Sequence, residues 1–171
     1  MTAFHTLKPS TLGREAFIEA FADIYEHSPW VAEALFEQGI TAADEQIEHL
    51  HARMAQVLLD ADPARQLALI NAHPDLAGKA AVRGELTAAS STEQAGAGIQ
   101  DCSAEEFQRF QYLNHSYKSR FGFVFIMAVK GSDRQRILAA FEERLHNTPE
   151  QEFARAIAEI NKIALLRLLA L

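Results

Sequence analysis

The chain has 171 residues, 49% of them hydrophobic, which is enough to build one domain around a single core. Its formal net charge of −7 argues against a general nucleic-acid-binding protein, because neutralising phosphate groups requires a basic surface. The single cysteine, Cys102, excludes an intrachain disulfide and favours a reducing compartment, so the cytoplasm is the expected location.

The sequence carries no export or membrane-spanning signal. Residues 1–13 contain neither the basic start nor the apolar stretch of a secretory signal. No stretch approaches the roughly 20 apolar residues that a transmembrane helix requires. A membrane protein is therefore not expected.

Hydrophobic residues recur with the helical period throughout the first half of the chain. Four helices are predicted there, beginning at Ser10 or Thr11, at Pro29, at Ala43 and at Pro63. The second is expected to stop at Gly39, and the third to run to Ala61. Pro74 is expected to end the fourth, because its ring excludes the α region at His73.

Helix-capping patterns indicate further helices in the second half. A short turn of helix is predicted over residues 76–82. A short helix opened by Ser90 or Ser91 is expected to end at the pair Gly96 and Gly98. The last three helices are expected to start at residues with capping signatures, namely Ser103 with Glu106, Ser132 or Asp133, and Thr148 with Pro149 and Gln151.

Residues 121–129 read Phe-Gly-Phe-Val-Phe-Ile-Met-Ala-Val and interrupt the helical pattern with an apolar run. Such a run is typical of either an extended buried segment or the start of a buried helix, and periodicity does not distinguish them. Alternating patterns of the kind that build a sheet do not occur. We therefore predict an all-α, single-domain bundle over residues 1–171, with about eight helices and one irregular apolar segment near 121–129.

His73 lies directly before Pro74, between two predicted helices. One interpretation is a structural histidine at a helix C-terminus, where the helix dipole favours the imidazolium. The other is a general acid or base, because a residue before proline is held extended and its imidazole has few accessible orientations.

Glu93 also has two interpretations. Ser90 with Glu93 and Ser91 with Gln94 both match the capping box, so each side chain could serve only the helix start. Because one helix start needs only one capping box, one of these two pairs is left for another role. A helix N-terminus is a suitable place to receive an anion.

Arg167 lies within the apolar run of the last predicted helix. Its guanidinium either reaches past its neighbours to solvent or is partly buried and binds a substrate carboxylate in a bidentate manner. No metal or cofactor is expected, because the sequence contains no His-Glu-x-x-His, no cysteine pair and no complete dinucleotide-binding loop.

Several stretches occur in an order that resembles one known family. They are His73-Pro-Asp-Leu-Ala-Gly-Lys79, Arg83-Gly-Glu-Leu-Thr87, Ser90-Ser-Thr-Glu-Gln-Ala-Gly-Ala-Gly98, Asn114-x-x-Tyr117, Arg120-Phe-Gly-Phe123, Glu152-Phe153 and Glu159-Ile-x-Lys-Ile-Ala-x-x-Arg-Leu168. The combination closely resembles the OHCU decarboxylase family. OHCU is 2-oxo-4-hydroxy-4-carboxy-5-ureidoimidazoline, the last intermediate of urate breakdown.

The resemblance implies an all-α, cofactor-free carbon–carbon lyase that converts OHCU to (S)-allantoin. It implies that His73 is catalytic and that Glu93 lines the substrate site, where the chemistry of the reaction gives this carboxylate the role of fixing the tautomer of the substrate. The residues implied in substrate binding are Pro74, Ser90, Gln94, Phe125, Ile126, Met127, Ala128, Val129 and Arg167. One departure from the family pattern is Val124, where the family often has proline.

The expected partner is the small-molecule substrate OHCU, without nucleic acid or membrane. A homodimer and an association with the hydrolase of the preceding step are left open by the sequence. The rival hypothesis is a non-enzymatic, all-helical module that binds a protein partner. Such a module needs an exposed apolar groove, for which residues 121–127 are the candidate.

Overall fold

The computed structural model describes residues 1–78 and 85–171. Within them the chain forms eight α-helices and three short 3-10 helices, and its one isolated β-bridge joins Ala3 to Gln46. The α-helices are α1 Arg14–Phe21, α2 Trp30–Glu37, α3 Ile47–Asp60, α4 Pro63–Ala72, α5 Ala88–Gly96, α6 Ala104–Phe121, α7 Arg134–Arg144 and α8 Pro149–Leu168. The all-α prediction is confirmed. None of these described helices is long and apolar enough to cross a membrane.

Residues Met1–Ala72 and Ile160–Leu171 form the first of two compact units. Phe17 of α1 packs against the rings of Phe21 and Phe36, with centroid distances of 4.7 and 5.4 Å. Met54 of α3 is fully buried. The helices of this unit therefore bury the apolar faces that the helical period predicts.

The predicted cap of the first helix is wrong. α1 begins after Gly13, which supplies no side-chain cap. Ser10 and Thr11 belong instead to a preceding 3-10 helix, Pro9–Thr11. The Thr11 hydroxyl donates to the carbonyl of Lys8 within that turn, so it does not reach the N–H groups of α1.

The start of the third predicted helix also differs, because Ala42–Glu45 forms a separate 3-10 helix and α3 begins only at Ile47. The reason is Asp44, whose carboxylate is fully buried. It accepts hydrogen bonds from the Thr41 amide and from the Arg53 guanidinium. These bonds hold the chain in a tighter turn than an α-helix allows.

Residues His73–Glu159 form the second compact unit, which contains α5, α6, α7 and the first half of α8. Its core is aromatic. Phe125 stacks on Phe141 with 3.7 Å between ring centroids, and Tyr117 meets Phe125 edge-on at 5.2 Å. The expectation of one domain over residues 1–171 stays a prediction.

The predicted caps of the last three helices are confirmed. Ser103 and Glu106 form a reciprocal capping box at the start of α6. Asp133 caps α7 by accepting a backbone N–H of the first turn. Thr148 and Gln151 form a second capping box at α8. The short helix predicted over residues 76–82 lies partly outside the described residues.

Residues 123–129 form neither helix nor strand, which confirms the predicted irregular segment. α6 ends at Phe121 because Gly122 adopts the left-handed conformation with φ of +79°. The backbone of the segment is then bonded to side chains. Arg144 Nη1 donates to the Ile126 carbonyl at 2.7 Å, and the Ala128 amide donates to Glu159 Oε1 at 3.3 Å.

The aromatic residues of this segment are part of the core. Phe121, Phe123 and Phe125 are buried, as is Ile126. Residues 121–127 therefore do not supply the exposed apolar groove that the partner-binding hypothesis requires.

Candidate active site

His73 follows the last residue of α4, where Pro74 was predicted to end the helix. Only 8% of the residue is exposed, so the imidazole lies within the protein. Because a residue before proline is excluded from the α region, its backbone has little freedom. His73 therefore combines burial with a restricted orientation.

A tight turn from Asp75 to Gly78 follows Pro74. The Gly78 amide donates to the Asp75 carbonyl at 3.4 Å, and Ala77 has φ of +53°. The left-handed conformation costs a non-glycine residue on the order of 1 kcal/mol. A Cβ atom added at Gly78 would lie 2.6 Å from the Asp75 Cβ, so the turn requires glycine there.

The predicted start of the helix at Ser90 or Ser91 is wrong by three or four residues. α5 begins at Ala88, and its cap is Thr87, whose hydroxyl accepts the Ser90 amide at 3.2 Å. Ser90 and Ser91 are thus inside the helix, and neither forms the cap of a capping box. Glu93 lies in the second turn, so capping does not explain its presence.

The polar residues predicted for the site share one face of α5. Glu93 and Gln94 come three and four residues after Ser90, so each is a neighbour of Ser90 on the helix. Ser90 and Gln94 are buried, and Glu93 is half-buried. This inward face of α5, defined by the three residues, is polar although it is largely withdrawn from solvent.

Gln94 connects the inward face of α5 to the turn after His73. Its Oε1 accepts the Ala77 amide at 3.1 Å, and its Nε2 donates to the Asp75 carbonyl at 3.3 Å. The structure therefore brings together two of the segments that the sequence predicts for the site. Gln94 uses both ends of its amide in this connection.

α6 holds the same turn through three further side chains. Gln111 Nε2 donates to the Ala77 carbonyl, and Asn114 Nδ2 donates to the Leu76 carbonyl, both at 2.8 Å. Lys118 Nζ lies 2.7 Å from Asp75 Oδ2. Sequence reasoning missed this contribution. The sequence feature that indicates this contribution is the helical spacing of Gln111, Asn114 and Lys118 on α6.

Arg167 lies in the first unit, and 9% of the residue is exposed. Its Nη2 donates to Glu26 Oε2 at 2.7 Å, and its Nη1 donates to the Asp23 carbonyl at 3.3 Å. Glu26 is itself buried. The interpretation in which the guanidinium reaches solvent is therefore wrong, and Arg167 is a buried cation with a carboxylate partner.

A cavity of about 510 Å³ lies in the second unit beside α5. Ala77, Gln94 and Cys102 contribute to its wall. Of the described residues that line the cavity, Gln94 is the one that was predicted to bind substrate.

Burial is the main cause that raises the pKa of the Cys102 thiol, and the Glu106 carboxylate is the second. Within the described residues, no group of three or more His, Cys, Asp or Glu side chains is placed to hold a metal ion.

Comparison with known proteins assigns the chain to a family. The family model for OHCU decarboxylase matches residues 10–169. The chain belongs to the OHCU decarboxylase family. The 2-oxo-4-hydroxy-4-carboxy-5-ureidoimidazoline decarboxylase of Haloferax volcanii is 42% identical over 158 residues, which cover 92% of this chain and 89% of that protein. The family resemblance of the sequence motifs is thereby confirmed.

Two further proteins are similar to this chain over only part of their own length. The crystal structure of (S)-allantoin synthase has a TM-score of 0.75 and 32% identity, and the match covers 95% of this chain and 52% of that one. The uric acid degradation bifunctional protein PucL of Bacillus subtilis is 36% identical over 154 residues, which cover 90% of this chain and 30% of that protein. The family domain thus also occurs within longer chains.

Proposed function

We propose that the protein is a carbon–carbon lyase that decarboxylates OHCU and forms (S)-allantoin in urate breakdown. Membership of the OHCU decarboxylase family supports this activity. The observation that carries the site is the pair of hydrogen bonds that Gln94 makes with the turn, accepting the Ala77 amide and donating to the Asp75 carbonyl. These bonds join the inward face of α5, which carries Glu93, to the turn that follows His73.

The substrate supplies its own electron acceptor. Loss of carbon dioxide leaves an electron pair on carbon, and many decarboxylases need a cofactor to accept it. In OHCU an imine lies beside the carbon that loses carbon dioxide, so the pair spreads into the C=N system. A proton delivered to one face of the ring then gives (S)-allantoin. The protein must orient the carboxylate and stabilise the charge that moves onto the ring.

His73 acts at the reacting centre in this proposal, on the substrate hydroxyl or carboxylate and in proton transfer. Its burial supports the role, because a desolvated imidazole interacts more strongly with charge that develops beside it. Its position before Pro74 limits its orientations, so little entropy is lost when the imidazole meets the substrate.

Glu93 accepts hydrogen bonds from N–H groups of the ring or the ureido arm and thereby fixes one tautomer of the substrate. Its place in the second turn of α5 supports this role, because the cap of that helix is Thr87. Ser90 binds the ureido arm beside it. Gln94 is proposed to contact the same arm from its place between α5 and the turn.

The backbone of residues 125–129 contributes amides that hold carbonyl oxygens of the substrate. Its anchoring to Arg144 supports a fixed geometry for these donors. The Ala128 amide already donates to Glu159, so the other amides of the segment carry this role. The contribution of Arg167 to substrate binding stays a prediction, and so do the homodimer and the cytoplasmic location.

The activity is tested by adding the protein to freshly made products of urate oxidation and following circular dichroism. We expect rapid appearance of the signal of one enantiomer of allantoin. His73→Asn is expected to lower turnover by about 10²-fold or more, because an imidazole that transfers a proton is lost. Glu93→Gln is expected to lower it by about 10²-fold, because a charged acceptor is lost.

Two substitutions serve as matched controls. His115 and Glu105 are exposed residues of α6, so His115→Asn and Glu105→Gln make the same chemical changes away from the inward face of α5. Both are expected to retain full turnover. Background kinetics with the unmodified protein would refute the activity, whereas near-normal turnover of His73→Asn would refute only the role of His73.

We also propose a functional association with the hydrolase of the preceding step. The relative named a uric acid degradation bifunctional protein supports association with another step of uric acid degradation, because that longer chain contains a region similar to this one. A shorter lag in allantoin formation when the two enzymes are mixed at low concentration is the expected result. An unchanged lag would argue for independent enzymes.

A further inference from the structure

The turn after His73 is held by hydrogen bonds that come from outside it. Gln94 of α5 and Gln111 and Asn114 of α6 bind the backbone of residues 75–77, at distances from 2.8 to 3.3 Å. We call these three side chains the turn clamp. They satisfy three carbonyl groups and one amide of a segment that makes no regular helix or strand.

The turn clamp stabilises a backbone conformation that is unfavourable by itself. Ala77 has a left-handed φ of +53°, which an isolated chain rarely adopts. Its amide is bonded to Gln94, and its carbonyl is bonded to Gln111. Removing the Gln111 donor takes this partner from the Ala77 carbonyl, which is only partly exposed to solvent, and a polar group left without its hydrogen bond is unfavourable. The turn then relaxes toward a conformation that Ala77 adopts more readily.

Relaxation of the turn would move the imidazole of His73. Only Pro74 separates His73 from Asp75, and the ring of Pro74 fixes its own φ. The residue before a proline is restricted as well. Few bonds can therefore absorb a shift of the turn, and the shift is passed on to the orientation of His73. A displacement of about 1 Å at a reacting group can lower turnover by 10²-fold.

We propose that Gln111 and Asn114 are positioning residues, which act on the reaction through the orientation of His73. This inference rests on the proposed decarboxylase activity. It assigns a catalytic consequence to two residues of α6 whose side chains bind the backbone of the turn and not the substrate. Lys118 contributes less, because its ion pair with Asp75 is partly exposed and exposed pairs stabilise weakly.

The test compares Gln111→Met with Gln111→Lys. Methionine has a similar length and no donor, so we expect kcat to fall between about 10- and 100-fold with KM changed by less than about threefold. Lysine retains an N–H donor at the end of the side chain and is expected to restore most of kcat. Asn114→Asp, which replaces the donor by an acceptor, is expected to resemble Gln111→Met.

The matched control is Gln66→Met. Gln66 is also half-buried, and its Nε2 donates to the carbonyls of Leu58 and Leu59 at 3.0 and 3.3 Å. The same substitution therefore removes the same type of bond in another part of the chain. Full turnover of this variant is expected. A decrease equal to that of Gln111→Met would overturn the proposal, because the effect would then be general.

A double-mutant cycle with His73→Asn separates positioning from an independent effect. If Gln111 acts through the imidazole, adding Gln111→Met to His73→Asn lowers kcat by less than about twofold. Losses that multiply would overturn the proposal, and so would normal kcat in both Gln111→Met and Asn114→Asp. Normal turnover of His73→Asn itself would instead contradict the proposed catalytic role. If Asn114→Asp does not fold, the Gln111 variants decide the question.

Discussion

The buried carboxylate of Glu152 should carry a large part of the stability of the second unit. It is fully buried and accepts hydrogen bonds from Arg144 Nε at 2.8 Å, from the Tyr117 hydroxyl at 2.6 Å and from Asn147 Nδ2 at 3.0 Å. Three donors thus converge on one carboxylate. Glu152→Gln retains the size of the side chain but removes its charge and replaces one acceptor by a donor.

The expected destabilisation follows from the burial of both partners. Arg144 is 3% exposed, so Glu152→Gln removes the carboxylate that pairs with a buried guanidinium at 2.8 Å. Breaking a buried pair from one side costs about 3–5 kcal/mol. A domain is stable by only about 5–15 kcal/mol, so the variant should be marginal. With a urea m-value of about 2 kcal/mol/M, the unfolding midpoint should fall by roughly 2 M.

The assay is urea unfolding followed by circular dichroism, with Glu142→Gln as the control. Glu142 of α7 pairs with Arg109 of α6, and both side chains are about half exposed. Exposed pairs contribute about 0–1 kcal/mol, so this variant should lose little. A loss below about 1 kcal/mol for Glu152→Gln, or equal losses in the two variants, would refute the desolvation reasoning.

Two further predictions follow from shifted pKa values. Burial raises the pKa of Tyr25 and Tyr117 above the ordinary value, so in a spectrophotometric titration these two of the three tyrosines should keep their protons until the chain unfolds. The unfolded chain loses those protons near pH 10, so stability should fall as pH rises above 10. Titration of Tyr25 and Tyr117 near pH 10 in the folded protein would contradict this. Burial and the Glu106 carboxylate raise the pKa of Cys102, so alkylation by iodoacetamide should reach half its maximal rate above the ordinary thiol pKa of about 8.5. A midpoint at or below that value would contradict it.

Features controlled by neighbouring residues were predictable from the sequence. The end of α4 follows from Pro74, and the starts of α6 and α8 follow from capping boxes that span three residues. These interactions form within one turn of chain, so the residue types reveal them. The family resemblance was likewise readable from the order of short motifs, and the family match confirms it.

Features controlled by distant residues were decided only by the tertiary structure. Asn114 and the Leu76 carbonyl are 38 residues apart, and Arg167 and Glu26 are 141 residues apart. Such pairs leave no periodic signal, because the chain between them sets their distance. The predicted start of α5 is wrong for a local reason, because Thr87 competes with Ser90 and Ser91 as a cap. The sequence determined which chemical groups are available and where most helices end, whereas long-range packing and hydrogen bonding decided which of those groups hold the turn beside His73.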